Sequence, residues 1–141
     1  MFRGEYQHSL DIKGRVNFPV KIRDGLGERF ILTRGLDSCL FVYSGEGWRE
    51  LESKLRALPM SKSRDIQRFF FASAVEVEPD KQGRILIPQN LRDYAGLGKD
   101  IVIIGVSDRA EIWNIESWQE KLNAMTMDAA KMEQAMDELG F

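Results

Sequence analysis

Short apolar stretches separated by glycine and proline recur along most of the chain, and their pattern predicts strands. Residues 5–10 (EYQHSL) and 73–79 (SAVEVEP) partly alternate between apolar and polar side chains, as strands do. Four further stretches are more continuously apolar and predict additional strands: 29–35, 39–44, 100–106 and 110–115.

Each set of predicted strands is followed by residues with helical spacing. Apolar residues at steps of three and four predict two amphipathic helices, carried by Trp48, Leu51, Leu55 and Leu58 and by Trp118, Leu122 and Met125. Between them, residues 61–74 predict a connecting helix with Ser61 or Ser63 as its N-cap. A narrow C-terminal stripe predicts a last helix, packed against the domain core or, less favoured, a neighbouring chain: Ala129, Met132, Met136 and Leu139.

The chain also repeats itself. Residues 11–24 (DIKGRVNFPVKIRD) and 80–93 (DKQGRILIPQNLRD) share six identities without a gap. With one extra residue in the later copy, the match continues as far as Trp48 and Trp118. Two copies are too few for a solenoid, so we expect a pseudo-twofold pair that shares one core.

A turn opens each copy of the repeat. Asp11 and Asp80 can accept backbone N–H groups and so brace the turn, while Gly14 and Gly83, three residues later, can take positive φ. The pattern predicts a hairpin, in which the stretches RVNFP and RILIP return as second strands. The proline that ends each of these stretches is expected to open a short helical turn.

Composition and charge restrict the possible functions of the chain. The net charge is −2, but residues 1–35 carry +3 and residues 76–120 carry −4, so an anionic partner is expected at the first half. A single cysteine cannot form an internal disulfide and suits a reducing cytoplasm. The N-terminus has no apolar signal region, and no stretch approaches the ~20 apolar residues that span a bilayer.

Enzyme chemistry has little support in the sequence. His8 and Cys39 are the only histidine and cysteine, and we interpret both as structural. Each motif aspartate is followed four residues later by an arginine that would keep it ionised, which argues against a paired acid site. There is no zinc-ligand spacing and no phosphate-binding loop. We therefore predict no enzymatic activity, no metal site and no cofactor.

The doubled motif predicts a binding surface instead. An arginine held by an aspartate across a tight turn suits contact with phosphate or with guanine. We predict that five basic residues cluster around the first turn and contact DNA: Arg3, Lys13, Arg15, Lys21 and Arg23. In its more acidic setting, the second turn is predicted to contribute more weakly through Lys81 and Arg84. Alternatively, the Asp–Arg pairs only fix two turns, although a strand would then favour a β-branched residue over arginine.

Three stretches give the chain a resemblance to a known family. They are the start (MFRG, then HSLDIKGR), the stretch CLFVY at 39–43, and the second motif with its continuation to EIW at 80–113. Over residues 1–118 the chain resembles the MraZ family, bacterial transcriptional regulators with two SpoVT/AbrB-like domains. A small departure between the copies is Asn17, where the second copy has Leu86.

The resemblance implies an α+β, mainly β fold, in which two swapped-hairpin units form one pseudo-twofold barrel with flanking amphipathic helices. We expect the SpoVT/AbrB-like domains at 5–50 and 76–120, a helical connector at 51–75 and a helical tail at 121–141.

In function, the resemblance implies a cytoplasmic, nucleoid-associated ring of identical chains without membrane contact. The ring would bind double-stranded DNA at promoter repeats of the division and cell-wall gene cluster, as a repressor and autoregulator. The Asp11–Arg15 motif and its basic neighbours would be the DNA contacts, with Asp80 and Arg84 as the second motif. The alternatives are an AbrB-like antitoxin that binds a toxin protein, and a structural ring or scaffold.

Overall fold

A computed structural model describes all residues, 1–141, as eight strands and six helices. The strands are β1 (Phe2–Ser9), β2 (Arg15–Asn17), β3 (Phe30–Arg34), β4 (Leu40–Ser44), β5 (Val75–Val77), β6 (Arg84–Leu86), β7 (Asp100–Ser107) and β8 (Arg109–Asn114). The helices are α1 (Val20–Leu26), α2 (Gly45–Arg56), α3 (Met60–Phe71), α4 (Gln89–Ala95), α5 (Ile115–Met127) and α6 (Ala129–Glu138). The predicted α+β class is confirmed, but more residues lie in the six helices than in the eight strands, of which β2, β5 and β6 have only three residues each. The expectation of a mainly β chain was therefore wrong.

Four of the six strand pairings join the two repeats, and the other two, β3 with β4 and β7 with β8, lie within one repeat. Six strands form one antiparallel sheet in the order β1-β7-β8-β4-β3-β5, and β2 pairs with β6 in a separate two-stranded ribbon. The first strand of each repeat pairs with the third strand of the other, β1 with β7 and β5 with β3. The fourth strands, β4 and β8, pair at the centre. The order is unchanged when the repeats are exchanged, as a pseudo-twofold pair requires.

The predicted barrel is not confirmed, because the six-stranded sheet is open and has β1 and β5 at its edges. The predicted hairpins are also wrong beyond their turns. The Asp11 N–H donates to the Arg15 carbonyl at 2.9 Å, which closes the first turn. The flanking strands then separate, since β1 pairs with β7 and β2 with β6.

Both faces of the large sheet are covered, which explains its nearly continuous apolar strands. On β4, Leu40 and Val42 face a 17-residue core cluster shared with the ribbon, α1 and α4. Phe41 and Tyr43 alternate with them and face a second cluster, of eight residues, beside the aromatic side chains of α2, α3 and α5. Val16 and Ile85, each 1% exposed, are the ribbon's contribution to the first cluster. The ribbon is therefore attached to the core by its inner face.

The start of α3 and the exposure of α6 correct two sequence predictions. Prolines precede α1 and α4, as predicted, and Pro59 also precedes α3 with φ −57° and ψ 137°. Because α3 begins at Met60, neither Ser61 nor Ser63 is its N-cap, and Ser63 is buried inside the helix. The C-terminal stripe does form α6, but no side chain of α6 is buried. The favoured core-facing arrangement was wrong.

None of the six helices combines the length and the apolar composition needed to cross a membrane.

Candidate nucleic-acid interface

The first turn is organised by one carboxylate. Asp11 Oδ1 accepts from the backbone N–H groups of Lys13 and Arg15, both at 2.9 Å. Its Oδ2 accepts from Arg15 Nε at 2.7 Å. Gly14 has φ +85°, a left-handed conformation that a residue with a Cβ rarely adopts. The aspartate thus orients both the turn backbone and the guanidinium that follows it.

The second turn repeats this arrangement atom by atom. Asp80 Oδ1 accepts from the N–H groups of Gln82 and Arg84 at 2.9 Å each, and Oδ2 accepts from Arg84 Nε at 3.0 Å. Gly83 has φ +79°. Despite the different charge of the surroundings, both arginines leave the turn in the same orientation relative to their aspartates.

Both aspartates remain ionised well into acid. The backbone N–H of Arg15 is the largest influence that lowers the pKa of Asp11, and burial opposes it only in part. The backbone N–H of Arg84 lowers the pKa of Asp80 in the same way. Each guanidinium therefore keeps a charged partner at neutral pH.

The two motifs lie side by side on the ribbon. In its register, Arg15 faces Leu86 and Asn17 faces Arg84, with Val16 and Ile85 paired between them. Since alternate residues of a strand point to opposite faces, Arg15, Asn17, Arg84 and Leu86 share the outer face. Diagonal neighbours in such a pair are about 7–8 Å apart, so the two arginines form one surface feature rather than two.

Only one nitrogen of each motif arginine is engaged within the chain. Nε of Arg15 and Nε of Arg84 bind their aspartates, and the terminal nitrogens donate no hydrogen bond. Their side chains are 35% and 30% exposed, respectively. The outer face therefore presents two oriented guanidinium ends with free donors.

Arg23 lies at the turn of the other repeat and not at the first turn. Its guanidinium packs directly over Gly83. In the equivalent place, Arg92 covers Gly14 of the first turn, and its Nε donates to the Ile87 carbonyl at 2.8 Å. Arg92 was not predicted as a neighbour of the first turn. The alignment of Arg92 with Arg23 in the repeat was the signal that could have found it.

The predicted cluster of five bases around one turn was therefore wrong. Arg3 lies on β1, six residues before Ser9, which places it about 20 Å along the strand from the first turn. Lys21 is exposed on α1, the helix whose Arg23 reaches the second turn. Of the five, Lys13 and Arg15 belong to the first turn itself.

Charge nevertheless differs between the two ends of the ribbon. The groove beside the first turn is lined by Arg92 and Lys99 together with Asp11. The groove beside the second turn contains Arg23, but three carboxylates surround it: Asp24, Glu28 and Glu78. The first turn keeps the more basic setting, although its basic neighbours come from the second repeat.

The lone histidine and cysteine are not part of the outer face of the ribbon. Cys39 is buried, its Sγ donates to the Leu36 carbonyl at 3.1 Å, and burial raises the pKa of its thiol. Partial burial lowers the pKa of His8 on β1. No group of His, Cys, Asp and Glu side chains is arranged to hold a metal ion.

Comparison with known proteins gives the chain a family. The family model for the MraZ protein, described as antitoxin-like, matches it twice, at residues 1–69 and 70–139. Proteins named "Transcriptional regulator MraZ" from Acetivibrio thermocellus and Caldicellulosiruptor saccharolyticus are 59% and 55% identical, over 99% of both chains. A protein of the same name from a Thermoanaerobacter species is 52% identical, again over 99% of both chains. Because these relatives are transcriptional regulators, the prediction that the chain is not an enzyme is confirmed. The chain belongs to the MraZ family.

Proposed function

We propose that the chain is a sequence-specific DNA-binding regulator of transcription, and that the outer face of the ribbon contacts double-stranded DNA. One observation carries the proposal: Arg15 and Arg84 stand on the same exposed face, each oriented by an aspartate and each with unused terminal donors. An arginine that only fixed its own turn would not need this shared exposure.

The geometry suits the major groove of DNA. That groove admits a two-stranded β-ribbon, and a guanidinium can donate two hydrogen bonds to O6 and N7 of guanine. Fixing Nε against an aspartate reduces the freedom that a long side chain loses on binding. Lys13 and Lys81, exposed at the two turns, are the proposed phosphate contacts.

Arg15 is proposed to contribute more than Arg84. The basic groove of Arg92 and Lys99 attracts the DNA backbone at the first turn, while carboxylates repel it at the second. Arg23 is proposed to act at the second turn, through its contact with Gly83. Arg3 and Lys21 stay candidates for phosphate contact outside the ribbon.

A chain with a net charge of −2 needs help to bind DNA tightly. We propose that identical chains assemble into a ring and bind tandem promoter elements together, so that one bound ribbon raises the effective concentration of the next. The proposed targets are the chain's own promoter and the division and cell-wall gene cluster, with repression as the outcome. The proposed location is the nucleoid in the cytoplasm.

Fluorescence anisotropy with labelled DNA from upstream of the chain's own gene tests the proposal. We expect Arg15→Ala to weaken binding at least tenfold and Arg84→Ala less, because each variant loses a proposed base contact. Arg64→Ala, an exposed arginine on α3, is the matched control and should bind like the parent chain.

Circular dichroism and the oligomer size from light scattering should be unchanged in all three variants. Full binding by Arg15→Ala in its native assembly would reject the DNA interface. It would favour the scaffold or toxin-binding alternatives.

A further inference from the structure

The outer face of the ribbon is almost, but not fully, symmetric. Exchanging the two repeats places Arg15 on Arg84, but it places Asn17 on Leu86. One end of the ribbon therefore presents the cross-strand pair Arg15 and Leu86, and the other presents Arg84 and Asn17. The two ends share a guanidinium and differ in the side chain beside it.

The fold does not account for these two side chains. Leu86 is 54% exposed, and Asn17 is exposed and makes no side-chain hydrogen bond within the chain. The core contacts of the ribbon are made by Val16 and Ile85 on the opposite face. An exposed leucine and an unpartnered amide, each beside an oriented arginine, are placed to contact whatever the arginines contact.

We propose that Asn17 and Leu86 are specificity-determining residues that give each bound DNA element a direction. This inference rests on the proposed function. In the major groove, an asparagine amide donates to N7 and accepts from N6 of adenine, while an apolar side chain packs against the 5-methyl group of thymine.

Cross-strand neighbours are about 5 Å apart, so each pair reaches the same or an adjacent base pair. One end of the ribbon therefore recognises guanine beside thymine, and the other recognises guanine beside adenine. With arginines alone, both ends would select the same base, guanine, so base recognition would not set the orientation of the ribbon on an element. The Asn–Leu difference removes that equivalence, and tandem elements bound by one assembly then share a direction.

Two substitutions test the idea by restoring symmetry. Leu86→Asn gives both ends an Arg–Asn pair, and Asn17→Leu gives both ends an Arg–Leu pair. The parent chain and both variants are each used to select binding sites from a random DNA library, and the bound pool is sequenced. Both positions are exposed, so unchanged circular dichroism is the check on folding.

We expect the parent chain to select a directional element. Leu86→Asn should select a palindrome with adenine at both ends, and Asn17→Leu a palindrome with thymine at both ends. Measured against single base changes, Asn17→Ala should lose the preference for adenine, about 5- to 150-fold in affinity, and Leu86→Ala the smaller preference for thymine.

The inference is overturned if the two variants select the parent's element, or if both alanine variants keep the parent's base preferences. A parent chain that selects a palindrome overturns it too, while leaving the proposed function intact. A parent chain that selects no sequence at all rejects both.

Discussion

The contact between Arg92 and Gly14 joins the turn of one repeat to a helix of the other, and Gly14→Ala tests it. A Cβ at position 14 would lie 2.5 Å from Arg92 Cζ and 2.7 Å from its Nε. The guanidinium would have to move, and its hydrogen bond to the Ile87 carbonyl would be lost. The new alanine would also keep the left-handed φ of +85°.

Two energetic costs set the expected loss of stability in Gly14→Ala. A left-handed conformation costs a residue with a Cβ about 1–2 kcal/mol. Loss of the Arg92 hydrogen bond costs about 0.5–1.5 kcal/mol more. We therefore expect Gly14→Ala to lower the free energy of unfolding by about 2–3 kcal/mol. For a chain of this length, that corresponds to roughly 4–12 °C in Tm.

Urea unfolding followed by tryptophan fluorescence, at one protein concentration, measures the effect. Gly96→Ala is the matched control, because Gly96 has φ +60° but no atom within 4 Å of an added Cβ. It should cost only about 1 kcal/mol. In an Arg92→Ala background, Gly14→Ala should lose the hydrogen-bond term and cost about 1 kcal/mol less than in the parent chain.

A cost of Gly14→Ala no larger than that of Gly96→Ala would contradict the contact. A cost of Gly14→Ala that is the same with and without the Arg92 side chain would contradict it too. Either result would mean that this arginine does not pack on the opposite turn.

Three further perturbations have defined outcomes. Backbone hydrogen bonds lower the pKa of Asp11 and Asp80 below 3.8, so the stabilisation from both carboxylates should persist as pH falls to about 4 and be lost below it. A carbon NMR titration that gives either carboxyl a pKa above 3.8 would contradict this. Glu111→Ala leaves the buried Trp113 N–H without its acceptor and the half-buried Arg109 with only Asp108 as a partner, so it should lower the free energy of unfolding by about 2–4 kcal/mol. The exposed pair lost in Glu52→Ala should cost under about 1 kcal/mol, and equal losses in denaturant melts would refute the difference. Removal of residues 129–141 should change the free energy of unfolding by no more than about 1 kcal/mol, because no side chain of α6 is buried. A larger loss would show that α6 packs on the core.

Local structure was largely predictable from the sequence because it depends on near neighbours. Apolar alternation located the strands, three- and four-residue spacing located the helices, and Asp11 with Gly14 has the signature of a tight turn. The start of α3 was missed because Pro59 takes the N-cap position ahead of either serine.

Long-range pairing was harder to predict, because the two repeats have nearly the same pattern. A strand such as β2 finds equivalent partners in its own repeat and in the other, and no local feature distinguishes them. This uncertainty explains why the five basic residues were wrongly expected around one turn, and why Arg92 was overlooked. The core-facing prediction for α6 was wrong for a related reason, because residue spacing predicts an apolar face but not the surface that covers it.

Methylation interference tests the central claim most directly, that the paired arginines contact guanines in the major groove. Dimethyl sulfate methylates N7 of guanine, the acceptor that a bidentate arginine requires. Methylation should block binding of the parent chain at two guanines in each element, one of which becomes tolerated in Arg15→Ala and the other in Arg84→Ala. Binding that is indifferent to N7 methylation, or interference at the same guanines in all three proteins, would contradict the account.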